Sequence, residues 1–318
     1  MKIFVLMAVL VGSVAACAES APLPEAILFS PGVISGPAND GSPTFSPDGN
    51  TLLFTRSAPH WTVILESHLV KGQWSKPVIA SFSGHWPDSS PAWSPDGMYV
   101  VFQSTRPKEP LKTTPEPGKS IPGIVSNLWR VERKANGWGE PERLPDEVNA
   151  TSSIWKPSIA ANGDIYLTVI GPNGQKAIYV SSFRDGRYQK ATPLPFSDGS
   201  KLDVDPEIAP DGSFLVFSSA ARVEGDSHER LFLVKRNGDL WGVPTLIRYK
   251  DDVTAYGAST DNEPHLGRDG QTIYFTSDRT MVTHFPRTSE QAARDLERLD
   301  IWDNSNSNVW SISLRTLL

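Results

Sequence analysis

A short motif that returns five times constrains the fold of this chain more than any other feature of its sequence. The first copy is Pro43–Arg56, PTFSPDGNTLLFTR, and the other copies open at Pro91, Pro157, Pro206 and Pro264. Each copy joins two apolar runs through a tight Asp-Gly or Asn-Gly turn, which is typical of a β-hairpin. The opening prolines are 48, 66, 49 and 58 residues apart, a period that suits a four-stranded propeller blade and is too long for a two-helix repeat.

The repeat predicts an all-β chain that forms a single β-propeller of five four-stranded blades. The segment Pro24–Leu28 resembles the last strand of the other units but has no partner near it in sequence. At the other end, Asn308–Leu314 reads as a third strand, after which the chain stops. We therefore expect the N-terminal strand to complete the last blade, so that no sheet edge is left open.

The N-terminus predicts export. Met1 and Lys2 precede an apolar run, Ile3–Val14, that is too short to span a bilayer, and Val-Ala-Ala-Cys follows. This ending resembles the lipobox of bacterial lipoproteins, with an ordinary secretory signal as the alternative. We expect residues 1–16 to be a signal peptide, residues 17–23 to be the lipidated Cys17 and a tether, and residues 24–318 to be the propeller. By resemblance to bacterial sorting signals, Ala18 favours the outer membrane.

Composition excludes several classes of function. The net charge of −6 gives no electrostatic reason to bind nucleic acid or an anionic membrane surface, so we expect membrane contact through the lipid anchor only. One cysteine excludes a disulfide framework, and six histidines show no metal-ligand spacing. Because no Ser-His-Asp order, phosphate loop or dinucleotide fingerprint is present, we assign no catalytic residue, metal or cofactor.

The connections between strands predict two unlike faces of the disc. Turns between first and second strands, and between third and fourth strands, are tight in every unit and share what we call the turn face. The remaining connections are longer and differ between units, and they share the variable-loop face, where we expect any binding site. The longest insertion, Met281–Ser307, contains a capping box from Thr288 to Gln291, which predicts a short helix.

Two polar positions recur on the variable-loop face. Aspartates stand three residues before the opening proline, and arginines stand just past the second strand, in every unit except the third, which lacks both. The residues are Asp40, Asp88, Asp203 and Asp261 with Arg56, Arg106, Arg222 and Arg279. One interpretation is a set of structural ion pairs that pin the loops. The other is a ring of carboxylates that receives a cation or a basic peptide at the channel mouth.

Four tryptophans do not recur with the repeat and are expected on loops of the variable-loop face: Trp61, Trp86, Trp155 and Trp302. Aromatic rings beside carboxylates suit a sugar ring or an apolar peptide anchor. Packing of the loops against the disc explains them equally well.

The pattern P-x-(F/W)-S-P-D-G-x-x-(L/V)-x-F, with Asp three residues before its first proline, resembles the PD40 (WD40-like) repeats of TolB-like β-propellers over residues 24–318. Members of that family usually have six blades, so the resemblance makes six the alternative count. We expect a monomeric, non-catalytic module of the bacterial envelope that binds a protein or peptide partner through the variable-loop face. The alternative is a carbohydrate-binding or glycan-active propeller, with the loop acids Glu109, Glu116, Asp146, Glu147, Glu224 and Asp226 available for it.

Overall fold

The computed structural model describes residues 23–109, 125–151, 153–171, 174–250 and 258–315. The predicted signal peptide and Cys17 lie outside these residues. Five antiparallel sheets follow one another along the described chain, and their first strands contact each other in a closed ring. The chain is therefore a five-bladed β-propeller, as the repeat predicts, and the six-bladed alternative is wrong.

Each blade has its first strand innermost and a short strand of two residues at its outer edge. Blade 1 follows a closing strand, β1 (Ile27–Leu28), and consists of β2 (Asn39–Phe45), β3 (Thr51–Ala58), β4 (Trp61–Val70), β5 (Gln73–Trp74) and β6 (Val78–Ile79). Blade 2 consists of β7 (Asp88–Trp93), β8 (Tyr99–Ser104), β9 (Asn127–Lys134), β10 (Gly137–Trp138) and β11 (Glu142–Arg143). Blade 3 consists of β12 (Ile154–Ile159), β13 (Ile165–Ile170), β14 (Lys176–Ser181) and β17 (Thr192–Pro193), with a ribbon of β15 (Phe183–Arg184) and β16 (Arg187–Tyr188). Blade 4 consists of β18 (Asp203–Ile208), β19 (Phe214–Ser219), β20 (Arg230–Asn237), β21 (Leu240–Trp241) and β22 (Thr245–Leu246). Blade 5 consists of β23 (Asp261–Leu266), β24 (Thr272–Ser277) and β25 (Asn308–Ser313), with β1 outermost.

The two ends of the described chain close the ring. In β1, Ile27 pairs with Ser311 and Leu28 with Trp310, both antiparallel, so the N-terminal strand is the fourth strand of blade 5. This confirms the predicted closure. The hydrogen bonds of this pairing replace the covalent continuity that joins the other blades.

The core lies between the blades. Buried apolar side chains form five clusters, one at each junction between neighbouring blades. The phenylalanines that end four copies of the motif, Phe54, Phe102, Phe217 and Phe275, are completely buried in these clusters. Each fully buried ring contributes about 1.5–3 kcal/mol through its burial alone, so the motif that makes the hairpins also joins neighbouring blades.

The first strand of every blade carries a β-bulge at the residue before the opening proline. These residues are Ser42, Ser90, Lys156, Asp205 and Glu263, and all five have a left-handed φ between 47° and 55°. A left-handed φ is uncommon for residues other than glycine, and a bulge re-aims the side chain of the bulged residue. The five bulges face the axis, where the oxygens Ser42 Oγ and Ser90 Oγ lie 3.5 Å apart.

The variable-loop face carries the predicted helix, α1 (Ser289–Ile301), with a complete capping box between Thr288 and Gln291. One expected long loop is absent, because β3 and β4 extend until Ala58 pairs with Trp61 and only Pro59 and His60 remain between them. Among the described residues, no helix combines the length and the apolar character needed to cross a membrane.

Candidate functional site

The four repeated aspartates are each in an ion pair with the arginine of the same unit. The N–O distances are 2.6 Å for Arg56 with Asp40, 2.6 Å for Arg106 with Asp88, 2.7 Å for Arg222 with Asp203 and 3.0 Å for Arg279 with Asp261. All four carboxylates are buried. Tyr249 also donates its hydroxyl to Asp261, a contact that the sequence pattern does not reveal.

Each arginine holds two further groups. The guanidinium lies over the phenylalanine of the second strand, at 5.1 Å for Arg106 over Phe102 and 5.3 Å for Arg222 over Phe217. In blade 4, Arg222 Nη2 also donates to the carbonyl of Phe196 at 2.7 Å, in the loop that enters the blade. A fork that joins a carboxylate, a carbonyl and a ring fixes loop geometry. Because the aspartates are enclosed, a macromolecule on this face touches none of their carboxylates.

Non-repeated groups are brought together instead on the propeller axis. The five bulged residues form an upper ring of two serines, Lys156, Asp205 and Glu263. Lys156 is 1% exposed, and the structure gives its ammonium no hydrogen bond or ion pair with any described residue. Its charge acts on two carboxyls, Asp205 in the upper ring and Glu207 below it.

Asp205 is the buried acid of this ring. It is 5% exposed, and its Oδ1 accepts the indole N–H of Trp155 at 3.1 Å. Burial raises the pKa of Asp205 to about 7, and the neighbouring carboxylates of Glu263 and Glu229 add to the rise, while Lys156 and the backbone N–H of Glu263 oppose it. A carboxyl with a pKa in this range changes charge near neutral pH.

Glu263 is half-buried and links blades 5 and 1. Its Oε2 accepts the backbone N–H of Ser42 at 2.9 Å and the hydroxyl of Thr276 at 2.8 Å. Beside it, Asn262 donates to Glu229 at 2.8 Å. Carboxylates of blades 4 and 5 therefore crowd one side of the channel at the variable-loop face.

A second ring lies one step deeper, at the residue after each opening proline. Glu207 Oε2 accepts the hydroxyl of Ser158 at 2.9 Å, and Oε1 accepts the backbone N–H of Leu266 at 2.9 Å. His265 Nδ1 lies 3.0 Å from Glu207, while His265 Nε2 accepts the N–H of Phe45 at 3.2 Å, so Nδ1 carries the proton. Burial acts to raise the pKa of Glu207, but His265 and Lys156 hold it below its usual value.

The polar side chains at this position join neighbouring blades: each accepts a backbone N–H from the next blade, an interaction that we call a latch. Thr44 accepts the N–H of Trp93 at 3.2 Å, Ser158 accepts that of Ile208 at 3.0 Å, and Glu207 and His265 do the same at the next two junctions. Blade 2 has Ala92 at this position, and a methyl group offers no acceptor to Ile159 of blade 3. The junction of blades 2 and 3 therefore lacks a latch that the other four junctions have.

The channel opens on the turn face into a cavity of about 220 Å³. Its walls include Phe45, Trp93, Ile208 and Leu266, and Glu207 with His265 forms its polar part. The polar groups there are already hydrogen-bonded to each other. The sequence analysis did not anticipate a cavity on this face.

Comparison with known proteins supports the fold and does not assign a function. No protein-family model matches the sequence, and no curated protein sequence does so either. Similar solved structures include an α-L-arabinofuranosidase from Lactobacillus brevis (12% identity, 90% of this chain and 92% of that one, TM-score 0.54). Another is the α-L-arabinofuranosidase PaAbf62A from Podospora anserina (11% identity, 92% and 97%, TM-score 0.53). TolB from Acinetobacter baumannii is also similar (13% identity, 87% of this chain, TM-score 0.47), and the chain spans 54% of it.

The four tryptophans of the sequence analysis differ in exposure and in their local contacts. Trp61 is 46% exposed at the tip of β4, and Trp86 is half-buried before β7. Trp155 lies in strand β12, not in a loop, with the ammonium of Lys176 5.5 Å from its ring centre. Trp302 follows α1 and packs edge-on against Trp310 at 5.7 Å, which fixes the base of the insertion.

Sequence reasoning missed the residues that face the axis. Asp205, Glu207 and Glu263 stand directly beside two of the opening prolines, where the other copies carry Ser, Thr, Ala, Lys or His. A fixed proline flanked by changing polar residues was the available signal. No group of three His, Cys, Asp or Glu side chains suited to a metal ion occurs within the described part of the chain.

Proposed function

We propose that this protein is a non-catalytic binding module of the bacterial envelope, which recognises a protein or peptide partner through its variable-loop face. The TolB-like character of its repeats and its predicted export support this placement. On this proposal Cys17 carries a lipid anchor in the periplasmic leaflet of the outer membrane. Replacing Cys17 with Ser should release the protein into the soluble envelope fraction, and an unchanged membrane fraction would refute the anchor.

The observation that carries the proposal is the orientation of α1. Its charged side is tied to the insertion, since Asp295 pairs with Arg287 at 2.7 Å and Arg298 donates to Asp303 at 3.1 Å. Its apolar side chains point away, with Leu296 61% and Leu299 47% exposed. A helix that packs through charges and shows leucines to solvent is typical of a surface that a protein partner covers.

The channel supports binding over catalysis. Glu207 accepts two hydrogen bonds from neighbouring blades and pairs with His265. Glu263 accepts one hydrogen bond from Ser42 of blade 1 and one from Thr276 of its own blade. Carboxylates engaged in this way hold blades together and are not free for proton transfer to a substrate.

Site-specific photo-crosslinking in cells tests the proposal. A benzophenone amino acid replaces Leu296 or Trp61 on the variable-loop face, and Leu240, 76% exposed on the turn face, serves as the matched control. We expect one protein to crosslink at the first two positions and not at the third. The purified partner should then bind the wild type and lose affinity for the Leu296→Ser/Leu299→Ser variant. Equal crosslinking at all three positions, or unchanged affinity, would contradict the proposal.

A second candidate function is binding or cleavage of a glycan. The observation that favours it is Asp205, because a non-repeated acid with a pKa of about 7 suits a general acid at neutral pH. Two neighbours in fold are described as α-L-arabinofuranosidases. Release of nitrophenol from aryl arabinofuranosides by the wild type, abolished in Asp205→Asn, would favour this candidate. No turnover by either protein would count against it.

A further inference from the structure

The carboxylates of blades 4 and 5 differ from the repeated aspartates in one respect. Every repeated aspartate has an arginine partner. Among the described residues, Asp205, Glu263 and Glu229 have no ion pair with lysine or arginine. In the part of the chain that the structure describes, the carboxylates at the mouth of the channel therefore have no cationic partner in direct contact, and Lys156 acts on Asp205 through its charge alone.

An unpartnered hydroxyl lies beside these carboxylates. In three blades, a threonine of the second strand accepts the backbone N–H of the bulged residue in the next blade: Thr55 from Ser90 at 2.9 Å, Thr168 from Asp205 at 2.8 Å and Thr276 from Ser42 at 3.0 Å. Ser218 of blade 4 has the same register position, since it pairs with Val204 as Thr55 pairs with Gly41 and Thr276 with Asn262. By the pattern of the other three blades, we infer that its hydroxyl faces the bulged residue of blade 5, Glu263.

The backbone N–H of Glu263 acts on Asp205, where it helps to lower the pKa of that carboxyl. Ser218 is completely buried, and its hydroxyl has no hydrogen-bond partner among the residues that the structure describes. An orphaned buried hydroxyl in a native protein calls for an explanation, and a missing ligand atom supplies one.

The chemistry of these groups selects a cation. Two carboxylates and a hydroxyl oxygen present acceptors, which an ammonium or a guanidinium satisfies with several N–H donors at once. Of the charged groups that act on Asp205, two are acidic and one, Lys156, is basic. Glu263 is half-buried and so partly open to solvent, whereas Asp205 is nearly enclosed.

We propose that the mouth of the channel binds a lysine or arginine side chain of the partner between Glu263, Asp205 and the hydroxyl of Ser218. The inference rests on the proposed function and adds the chemistry of what is recognised: a basic side chain that enters the axis while apolar groups cover α1. Removing either acid leaves the cation desolvated without full compensation, which costs affinity.

Peptide binding measured by fluorescence anisotropy tests the site directly. The probes are fluorescein-labelled Gly-Gly-Arg-Gly-Gly and the same peptide with citrulline, which keeps the shape of arginine without its charge. We expect saturable binding of the arginine peptide that is about tenfold tighter than that of the citrulline peptide, as one charged hydrogen bond implies. Equal affinity for the two peptides, or no saturable binding, would overturn the inference.

Variants locate the binding. Glu263→Gln and Asp205→Asn should each lower the affinity for the arginine peptide about tenfold, and Ser218→Ala should lower it to a smaller extent. Asp146→Asn is the matched control, because Asp146 is an exposed acid of a variable loop and the substitution removes one carboxyl group, as Glu263→Gln and Asp205→Asn do. An equal effect of Asp146→Asn would show that general charge attraction, and not this site, binds the peptide. Melting curves check that each variant is folded. If Glu263→Gln does not fold, the near-isosteric variants Asp205→Asn and Ser218→Ala still test whether the peptide binds at this site.

The two proposals can fail separately. A crosslinked partner that the arginine peptide does not displace would leave the binding module standing and refute the cationic side chain. Specific binding of the peptide with no crosslinked partner would support the site and count against the apolar surface of α1.

Discussion

Arg106 donates from Nη1 to Oδ1 of Asp88 at 2.6 Å, so the end of the second strand of blade 2 is joined to the start of the first strand. The same guanidinium reaches the carbonyl of Phe82, in the loop that arrives from blade 1. One side chain therefore sets the position of three segments of chain. The ion pair recurs in four units and the bond to a loop carbonyl in three of them, with Arg56, Arg106 and Arg222, which explains how loops of different length leave the disc from equivalent positions.

Breaking this fork should destabilise the whole disc. Arg106→Ala leaves the carboxylate of Asp88 buried without its partner, so we expect the free energy of unfolding to fall by about 3 kcal/mol. Arg106→Lys should recover only part of this, because an ammonium does not form the planar fork. Lys108→Ala, which breaks an exposed pair with Asp146, is the control and should cost less than about 1 kcal/mol. Urea unfolding measures all three, and equal losses for Arg106 and Lys108 would refute the structural role.

The closing strand β1 predicts an effect on stability at a position away from the candidate binding site. Ile27 pairs with Ser311, but its side chain is exposed. Ile27→Pro removes a backbone donor from this pairing and should lower the free energy of unfolding by about 3 kcal/mol, whereas Ile27→Ala should change it little. Freed from β1, strand β25 becomes an open edge, so light scattering should also detect association in the proline variant. Identical melting temperatures for the two variants would contradict closure by β1.

The missing latch between blades 2 and 3 predicts a gain in stability. Ala92→Thr places a hydroxyl where Thr44 binds the neighbouring blade, within reach of the N–H of Ile159. We expect a stabilisation of about 1 kcal/mol, and Thr44→Ala should lose a similar amount at the junction of blades 1 and 2. Thermal unfolding of the two variants checks this. A destabilised Ala92→Thr protein would show that the junction is too tightly packed for a hydroxyl.

Asp205 predicts how stability depends on pH. Its pKa in the folded protein is about 7, above the ordinary value of 3.8, so the folded state holds this proton more tightly than the unfolded state. Its contribution is complete below pH 3.8 and is lost as the pH rises towards 7, with a slope of up to about 1.4 kcal/mol per pH unit. Chemical unfolding between pH 4 and 8 should show that Asp205→Asn loses less stability than the wild type over this interval. Parallel curves for the two proteins would contradict the assignment.

The fold was readable from the sequence because its determinants are local and repeated. The Asp-Gly turns, the alternating runs and the final phenylalanine specify hairpins, and Pro24–Leu28 could be assigned to blade 5 because it matches the other outer strands. A single instance of this motif would predict only one hairpin. Five copies made the ring and its closure predictable.

The candidate site was only partly accessible from the sequence. The pairing of Asp and Arg in four units points to contact between them, but burial of the aspartates depends on loops whose paths no local pattern specifies. The channel residues were missed because Asp205 and Glu263 look like ordinary polar residues of a half-exposed strand. Their direction is set by the bulge, and the bulge follows from pairing with the next strand, which sequence periodicity does not encode.

At the five bulges, the backbone conformation does not depend on the side chain that faces the axis. Serine, lysine, aspartate and glutamate all adopt the same left-handed backbone before the proline. The strain thus belongs to the strand and its proline, whatever side chain is present. Each blade accordingly presents one exchangeable position to the axis. Substitutions during evolution can change these five positions one at a time, while the hairpins, turns and blade junctions are retained. A fivefold backbone thereby carries a centre with no symmetry, and selection can act on the ligand without acting on the fold.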